Sequence, residues 1–149
     1  MAEEKKEIPK PLPQISPLTQ PFWEAAAARK LVMQRCDACG SFVWCPRPAC
    51  AECGSDKLEW TQVSGLGHVY SFTVIREVVG RGGRGFEKDI PYVVAWVDLE
   101  EGPRFVTNIV GCPVDEVEIG MPVEVIFEEA GEGIFLPKFG PRPDPASPL

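Results

Sequence analysis

The chain contains 149 residues, of which 44% are hydrophobic, enough for one packed domain or two small ones. No run of about 18 apolar residues occurs, and this excludes a membrane-spanning helix. The net charge of -7 arises in residues 61–149, where fourteen acidic residues outnumber seven basic ones, so the protein repels polyanions in general.

Residues 1–18 predict an extended arm. A charged cluster opens the segment, and prolines follow at positions 9, 11, 13 and 17. Because this composition cannot build a core, the arm is either a disordered leader or a strap that becomes ordered on a partner.

Residues 19–32 predict a short docking helix. Pro21 suits a first helical turn, an alanine run forms the body, and basic residues follow at the C-terminal end. An apolar stripe runs along one side, formed by Trp23, Ala27 and Leu31, with Phe22 and Ala26 beside them. The stripe is too short to fold alone, so it packs either on its own chain or on another subunit.

Two Cys-x-x-Cys-Gly-Ser turns, at residues 36–41 and 50–55, define a metal-binding segment at 33–60. The glycine in each turn leaves nearby backbone N–H groups free to donate to the sulfurs. Four thiolates complete a tetrahedral shell, which predicts one structural Zn²⁺ held by Cys36, Cys39, Cys50 and Cys53. An iron centre that passes electrons also suits four thiolates, and disulfides are the third alternative.

The metal takes the place of a core in so small a segment. Cys45 is a fifth thiol between the two turns, and we interpret it as a non-ligand because four positions are already filled. The chain shows no charged and apolar leader of the kind that directs secretion. We therefore expect reduced, metal-bound cysteines in the cytoplasm.

Residues 61–139 alternate between apolar and polar side chains over several short runs. The runs predict five strands at about 68–76, 92–99, 104–110, 123–128 and 134–139. Five antiparallel strands in this length suit a small Greek-key barrel of the OB type. The expected fold class is mostly β, with an N-terminal helix, a zinc module and a five-stranded OB-fold barrel, followed by a loose Pro-rich tail at 140–149.

Several short motifs occur together: Phe-Trp-Glu-Ala at 22–25, the approach to the first turn at 31–36, Pro-Arg at 46–47, and barrel motifs at 67–74, 91–95, 108–112 and 119–123. In this combination the chain resembles the DUF35 family over about residues 20–140. The resemblance implies a rubredoxin-like zinc ribbon joined to an OB-fold, accompanying thiolases, retro-aldolases or related acyl-CoA enzymes as a non-catalytic subunit. Cys45 departs from the proline that the family commonly has there, which leaves the four ligands unaffected.

We expect the ribbon and helix to dock on a thiolase-like catalytic subunit, while the barrel shapes or covers the acyl-CoA site. The narrowest expectation is a complex that cleaves 2-benzoylsuccinyl-CoA by thiolysis in anaerobic toluene breakdown. We expect the partner interface to include Phe22, Trp23, Phe42 and Trp44, since exposed aromatic residues on small modules are frequent anchors.

Independent catalysis would need a nucleophilic cysteine, an activating base and an oxyanion hole. The available groups are Cys45, His68 and Cys112. We interpret His68 as a polar residue at a strand entrance and Cys112 as a small buried side chain. A zinc ion with four protein ligands also leaves no open position for substrate, so we expect the chemistry to belong to the partner.

One basic loop lies in the acidic half of the chain. Arg76, Arg81 and Arg84 lie among glycines, and Phe86 follows them. We expect the guanidinium groups to meet the phosphates of a coenzyme A thioester, with Phe86 on the adenine; the alternative is a solvated hairpin loop.

The alternative function is a nucleic-acid-binding module, because zinc ribbons and OB barrels both recur in such proteins. A single-strand groove needs basic residues interleaved with exposed aromatics. The strand at 123–128 and the loop after it instead bring acidic side chains, at Glu124, Glu128, Glu129 and Glu132.

Overall fold

The computed structural model describes residues 9–81 and 83–143. These residues form one α-helix, eight β-strands and one turn of 3-10 helix at Val114–Glu116. The bounds are α1 Gln20–Ala27, β1 Val32–Cys36, β2 Phe42–Val43, β3 Leu58–Gln62, β4 Leu66–Ile75, β5 Tyr92–Leu99, β6 Arg104–Ile109, β7 Pro122–Gly131 and β8 Ile134–Pro141. The described ranges contain no helix that could span a membrane. The predicted mostly β class is confirmed.

The strands form two sheets. Strands β2, β1 and β3 make a small antiparallel sheet, and β4 to β8 close a barrel in the order β4-β5-β6-β8-β7. Neighbouring barrel strands are antiparallel except β6 and β8, which run parallel and meet at one register pair, Ile109 with Phe139. The five-stranded OB-type barrel is therefore confirmed, and the prediction that all its pairs are antiparallel is wrong at this seam.

Strand β5 shows how the alternation builds the barrel. Its inward side chains are all buried, at Val93, Ala95, Val97 and Leu99. Because successive side chains of a strand point to opposite faces, the residues between them point outward. On the neighbouring strand, Gly67 has no room for a side chain, since a Cβ would lie 2.5 Å from the backbone oxygen of Asp98.

Helix α1 ends at Ala27, before the predicted basic end. The N–H of Lys30 donates to the carbonyl of Ala25 and the N–H of Arg29 to that of Ala26, both at 2.9 Å, which is the Schellman pattern. Arg29 takes the left-handed conformation, with φ 61, that glycine usually supplies at this position. The chain therefore turns toward the ribbon sheet at Arg29.

The buried side of α1 consists of Phe22 and Ala26. The predicted stripe of Trp23, Ala27 and Leu31 is wrong. Trp23 is half-buried, Ala27 is exposed, and Leu31 is buried beyond the helix. Because the helix ends before Leu31, that residue cannot continue the stripe.

Aromatic rings join the helix, the ribbon and the barrel into one core. The ring centroid of Trp44 lies 5.1 Å from that of Phe22 and 4.9 Å from that of Phe105. Phe105 in turn lies 6.0 Å from Phe139 on β8. The segments at 19–32, 33–60 and 61–139 therefore pack against one another.

The described part of the arm contacts the barrel. Lys10 Nζ lies 2.5 Å from Asp89 Oδ2 and 5.6 Å from the centre of the Phe86 ring. Gly85 permits this approach, because a Cβ there would lie 3.1 Å from the backbone of Pro9 and Lys10. The charged cluster that opens the arm lies outside the described residues.

The barrel extends further toward the C-terminus than predicted. Strand β8 continues to Pro141, which pairs with Val123 on β7. The N–H of Arg142 donates to the carbonyl of Pro122 at 3.1 Å, and its guanidinium lies 3.0 Å from Glu100. The prediction of a loose tail is therefore wrong for residues 140–142, and residues 144–149 lie outside the described part.

Replacing Phe22 by alanine should lower the free energy of unfolding of the zinc-bound protein by about 3–5 kcal/mol, because the buried ring joins the helix to the ribbon and, through Trp44, to the barrel. Urea unfolding followed by tryptophan fluorescence measures the change. Ile119, which is 72% exposed, provides the control: Ile119→Ala should shift the same free energy by less than about 0.5 kcal/mol. Equal losses in the two variants would contradict a shared core.

Candidate metal centre and partner surfaces

The four predicted ligands form one cluster. The sulfurs of Cys36, Cys39, Cys50 and Cys53 all lie within 4.8 Å of one another. Cys36 Sγ is 3.6 Å from Cys53 Sγ, and Cys39 Sγ is 3.7 Å from Cys50 Sγ. A zinc–sulfur bond of about 2.3 Å gives tetrahedral edges of about 3.8 Å. The cluster therefore has the size of a tetrahedral four-thiolate site, and all four cysteines are free of disulfides.

Both turns have the same backbone geometry. In the first, the N–H of Cys36 donates to the carbonyl of Ser41 at 2.9 Å, and in the second the N–H of Cys50 donates to that of Ser55 at 2.7 Å. Gly40 and the equivalent Gly54 have φ values of 76 and 77, which explains why glycine follows each Cys-x-x-Cys. The repeated sequence thus makes two copies of one ligand-presenting turn.

The thiols also show opposed pKa shifts. Hydrogen bonds from the side chain and then the backbone of Ser41 lower the pKa of Cys39 to about 6. The backbone of Ser55 lowers the pKa of Cys53, but hydrogen bonding to Cys36 and desolvation outweigh it and raise that pKa to about 12. Sulfurs this close cannot all carry charge unless a cation lies between them, so the donor set fits a divalent metal.

A buried glutamine fixes the loop between the two turns. Gln34 Nε2 donates to the carbonyl of Arg47 at 3.0 Å, and the N–H of Arg47 donates to Gln34 Oε1 at 2.8 Å. This amide pair holds the loop that carries Trp44 against the barrel. Cys45 lies in the same loop, exposed and outside the four-sulfur cluster, as expected of a non-ligand.

The predicted interface aromatics are less exposed than expected. Phe22 is only 4% exposed, so its assignment as an exposed anchor is wrong. Trp23, Phe42 and Trp44 are half-buried, and the guanidinium of Arg35 lies 5.5 Å from the centre of the Phe42 ring. Residue type alone does not reveal that Phe22 packs on Trp23 and Trp44.

An apolar groove of about 460 Å³ lies between α1, the Trp44 loop and strands β6 and β8. Its walls include Trp23, Trp44, Pro46, Val106, Leu136 and Pro137. Lys138 is the one charged residue among the described residues that line it. The groove lies beside the seam where β6 and β8 share one register pair.

Sequence reasoning missed a second surface, on the outer side of the barrel. Tyr70, Trp96 and Val106 are 50%, 46% and 46% exposed. Arg104 stacks over Tyr70 at 3.3 Å from the ring centre, and its Nε donates to Asp98 Oδ1 at 2.6 Å. The sequence signal for this surface lies in β5, where the alternation of apolar and polar residues places Trp96 on the side that faces solvent.

The basic loop has a partly different arrangement from the one predicted. Arg81 and Arg84 are exposed, whereas Arg76 Nη2 lies 3.4 Å from Asp115 Oδ1 on the 3-10 turn. Phe86 is half-buried, with Lys10 over its ring and Tyr92 at 6.1 Å between centroids. The structure therefore leaves two arginines open to a ligand and gives Phe86 neighbours from its own chain.

His68 and Cys112 lie at opposite ends of the barrel. His68 pairs with Asp98 near the end of β5, whereas Cys112 follows Ile109, which pairs with Val93 near its start. Burial, and then the charge of Glu116, raise the pKa of the Cys112 thiol, so it is less acidic than an ordinary cysteine. These two residues do not form a nucleophile and base pair.

Two family models match the chain. The ChsH2 rubredoxin-like zinc ribbon domain matches residues 23–59, and the ChsH2 C-terminal OB-fold domain matches residues 60–128. The ribbon match favours zinc over iron in the four-thiolate site. The chain therefore has a structural zinc site in its N-terminal module and an OB-fold after it.

Several known proteins are similar to the chain. A probable enoyl-CoA hydratase alpha subunit of Thermomonospora curvata is 42% identical over 139 residues, which are 93% of this chain and 42% of that relative. A DUF35 domain-containing scaffold protein of Methanothermobacter thermautotrophicus is 37% identical over 118 residues, covering 76% of this chain and 86% of the relative. A solved chain of the Ltp2-ChsH2(DUF35) aldolase is 41% identical with a TM-score of 0.75, covering 87% of this chain and 98% of that one.

The purified protein should contain one zinc ion per chain, and Cys50→Ser should lose both the metal and the ribbon fold, because three ligands cannot close the shell. Elemental analysis and near-UV circular dichroism measure the two effects. Cys45→Ser is the matched control and should keep its zinc, since Cys45 lies outside the cluster. Full metal content in Cys50→Ser, or iron in the wild type, would contradict the assignment.

Proposed function

Because the chain belongs to the DUF35 family, we propose that it is a non-catalytic subunit that docks on the catalytic subunit of an acyl-CoA enzyme complex. In this role it shapes or covers the acyl-CoA site, while the partner performs the chemistry. The observation that carries the proposal is the match to the DUF35 chain of the Ltp2-ChsH2 aldolase, 98% of which this chain covers. The hydratase alpha subunit from Thermomonospora curvata supports the same acyl-CoA context.

The arrangement of the four cysteine sulfurs supports a structural role for the ribbon. Four protein sulfurs fill a tetrahedral shell, so no position is open for water or substrate. The zinc instead fixes the loop that carries Trp44 against the barrel. Four reduced thiolates are stable in a reducing compartment, which supports the expected cytoplasmic location.

The finer proposal concerns the class of the partner. The sequence resemblance points to a thiolase-type subunit, with 2-benzoylsuccinyl-CoA in anaerobic toluene breakdown as its narrowest substrate. The relatives above are named for a hydratase and an aldolase. Thiolysis, hydration and retro-aldol cleavage all act near the thioester carbonyl of an acyl-CoA, so one accessory architecture suits all three, and the partner decides among them.

Coenzyme A is the proposed ligand at the interface, and the exposed arginines of the basic loop are the groups to hold it. Arg81 and Arg84 are exposed on a glycine-rich loop, and guanidinium groups bind phosphates through paired hydrogen bonds. Arg76 contributes positive charge beside them but has a partner in Asp115. Lys10 lies over the Phe86 ring, so an adenine can stack only on the part of the ring that Lys10 leaves uncovered.

One observation favours the alternative, a nucleic-acid-binding module. Tyr70 and Trp96 are exposed aromatic residues on the barrel, and base stacking uses such side chains. The adjacent Arg104, however, is paired with Asp98, and the chain carries a net charge of -7. We therefore retain the accessory-subunit function, and an oligonucleotide affinity in the nanomolar range at physiological salt would favour the alternative.

A tagged copy of the full chain, purified from its native host, should bring down the catalytic subunit of an acyl-CoA enzyme in a fixed ratio. Mass spectrometry identifies the protein, and size-exclusion chromatography with light scattering gives the ratio after both subunits are purified. The Cys50→Ser variant is the control and should recover none, because the ribbon fold is lost. Recovery of nucleic acid, or of no acyl-CoA enzyme, would contradict the proposal.

Replacing Arg81 and Arg84 together by alanine should raise the KM of the assembled complex for its acyl-CoA about tenfold, because charge-assisted bonds to phosphate are lost. Lys57→Ala, which removes an exposed charge from the ribbon, is the control and should leave KM unchanged. A dephospho-CoA thioester should show a smaller difference between wild type and variant. If wild type and variant have the same KM for each of the two thioesters, the basic loop is not part of the CoA-binding site.

A further inference from the structure

The outer face of the barrel carries a cluster of apolar side chains on three adjacent strands. Trp96 on β5 and Val106 on β6 are directly opposite each other in the register. Tyr70 lies on β4 next to Ser71, the register partner of Trp96. Exposed apolar residues that occur singly need no explanation, but neighbours across three strands indicate a surface that another molecule covers.

This face continues into the apolar groove. Val106 belongs to both, and Val94, one outward position before Trp96 on β5, also lines the groove. Beyond them the groove passes between Trp23 of α1 and Trp44 of the ribbon loop. We call the outer face together with the groove the β5–β6 surface, defined by Tyr70, Val94, Trp96, Val106, Trp23 and Trp44.

We propose that the β5–β6 surface is the docking site for the catalytic subunit, which covers the outer face and inserts an uncharged apolar segment into the groove. This inference rests on the proposed function. It differs from the sequence-based interface, because β5 and β6 form its centre and the buried Phe22 is no longer part of it.

The chemistry of the surface favours this occupant. The groove has little charge, so an apolar segment loses less hydration on entering it than a charged one. Tyrosine, tryptophan and arginine are the residue types that dominate binding energy at interfaces. Arg104 is already held by Asp98 and stacked on Tyr70, so its ordering costs little when a partner arrives.

Charge distinguishes a different protein from a second copy. Each copy carries a net charge of -7, so two copies repel each other, whereas a partner with basic residues around its apolar segment is attracted. The zinc contributes indirectly, since the loop it fixes supplies Trp44 to one wall of the groove.

The test uses Val106→Asp and Trp96→Ala in the full zinc-bound chain. The catalytic subunit is first identified by capture on wild-type protein and mass spectrometry, then purified and titrated with each variant to obtain Kd. Val106→Asp should raise Kd at least a hundredfold and Trp96→Ala at least tenfold. Both side chains point outward, so zinc content and urea midpoint should stay at wild-type values.

A matched control carries the same new charge at a more exposed apolar position. Ile119 is 72% exposed and lies neither on the β5–β6 surface nor in the basic loop. Ile119→Asp should bind the partner within about twofold of wild type. A control variant that loses binding while Val106→Asp keeps it would overturn the inference.

The remaining outcomes test the docking site and the proposed function separately. If the wild type captures an acyl-CoA enzyme subunit and Val106→Asp binds it equally well, the docking site is wrong and the proposed function stands. If the wild type captures no acyl-CoA enzyme, both fail. If analytical ultracentrifugation shows a wild-type dimer that Val106→Asp abolishes, a second copy occupies the surface and the inference is overturned.

Discussion

Four cysteine sulfurs held within 4.8 Å of one another are the constraint on which the rest of the structure depends. Sulfurs so close can be fully deprotonated only around a cation, and the metal in return fixes two turns that have little core of their own. The loop between the turns is thereby held at both ends, with Gln34 clamping its middle through Arg47. The position of Trp44 follows from this clamp.

Trp44 connects the loop of the metal site to the barrel. Its ring contacts Phe22 on the helix and Phe105 on β6, beside the seam where β6 and β8 share a single register pair. The helix and ribbon therefore close a weak side of the barrel, and the space left between them is the apolar groove. The metal site, the core and the groove are consequences of one arrangement, in which the four cysteines hold the loop that lines the groove.

The sequence allowed prediction of features set by local spacing. The Cys-x-x-Cys-Gly-Ser repeats identified the ligands, and alternation located the five barrel strands. The sequence could not reveal that Arg29 takes a left-handed conformation and ends the helix, since glycine is the usual signal for that turn. Nor could residue type separate the buried Phe22 from the exposed Trp96. Exposure depends on which elements pack together, and those contacts are distant in the chain.

We propose that this chain supports chemistry performed by another subunit. The most direct measurement is acyl-CoA turnover by the purified chain, by the purified catalytic subunit and by their mixture, at equal subunit concentration. The chain alone should show no turnover, and the mixture should have a higher kcat/KM than the catalytic subunit alone. Turnover by the zinc-bound chain in the absence of any partner would contradict the proposal.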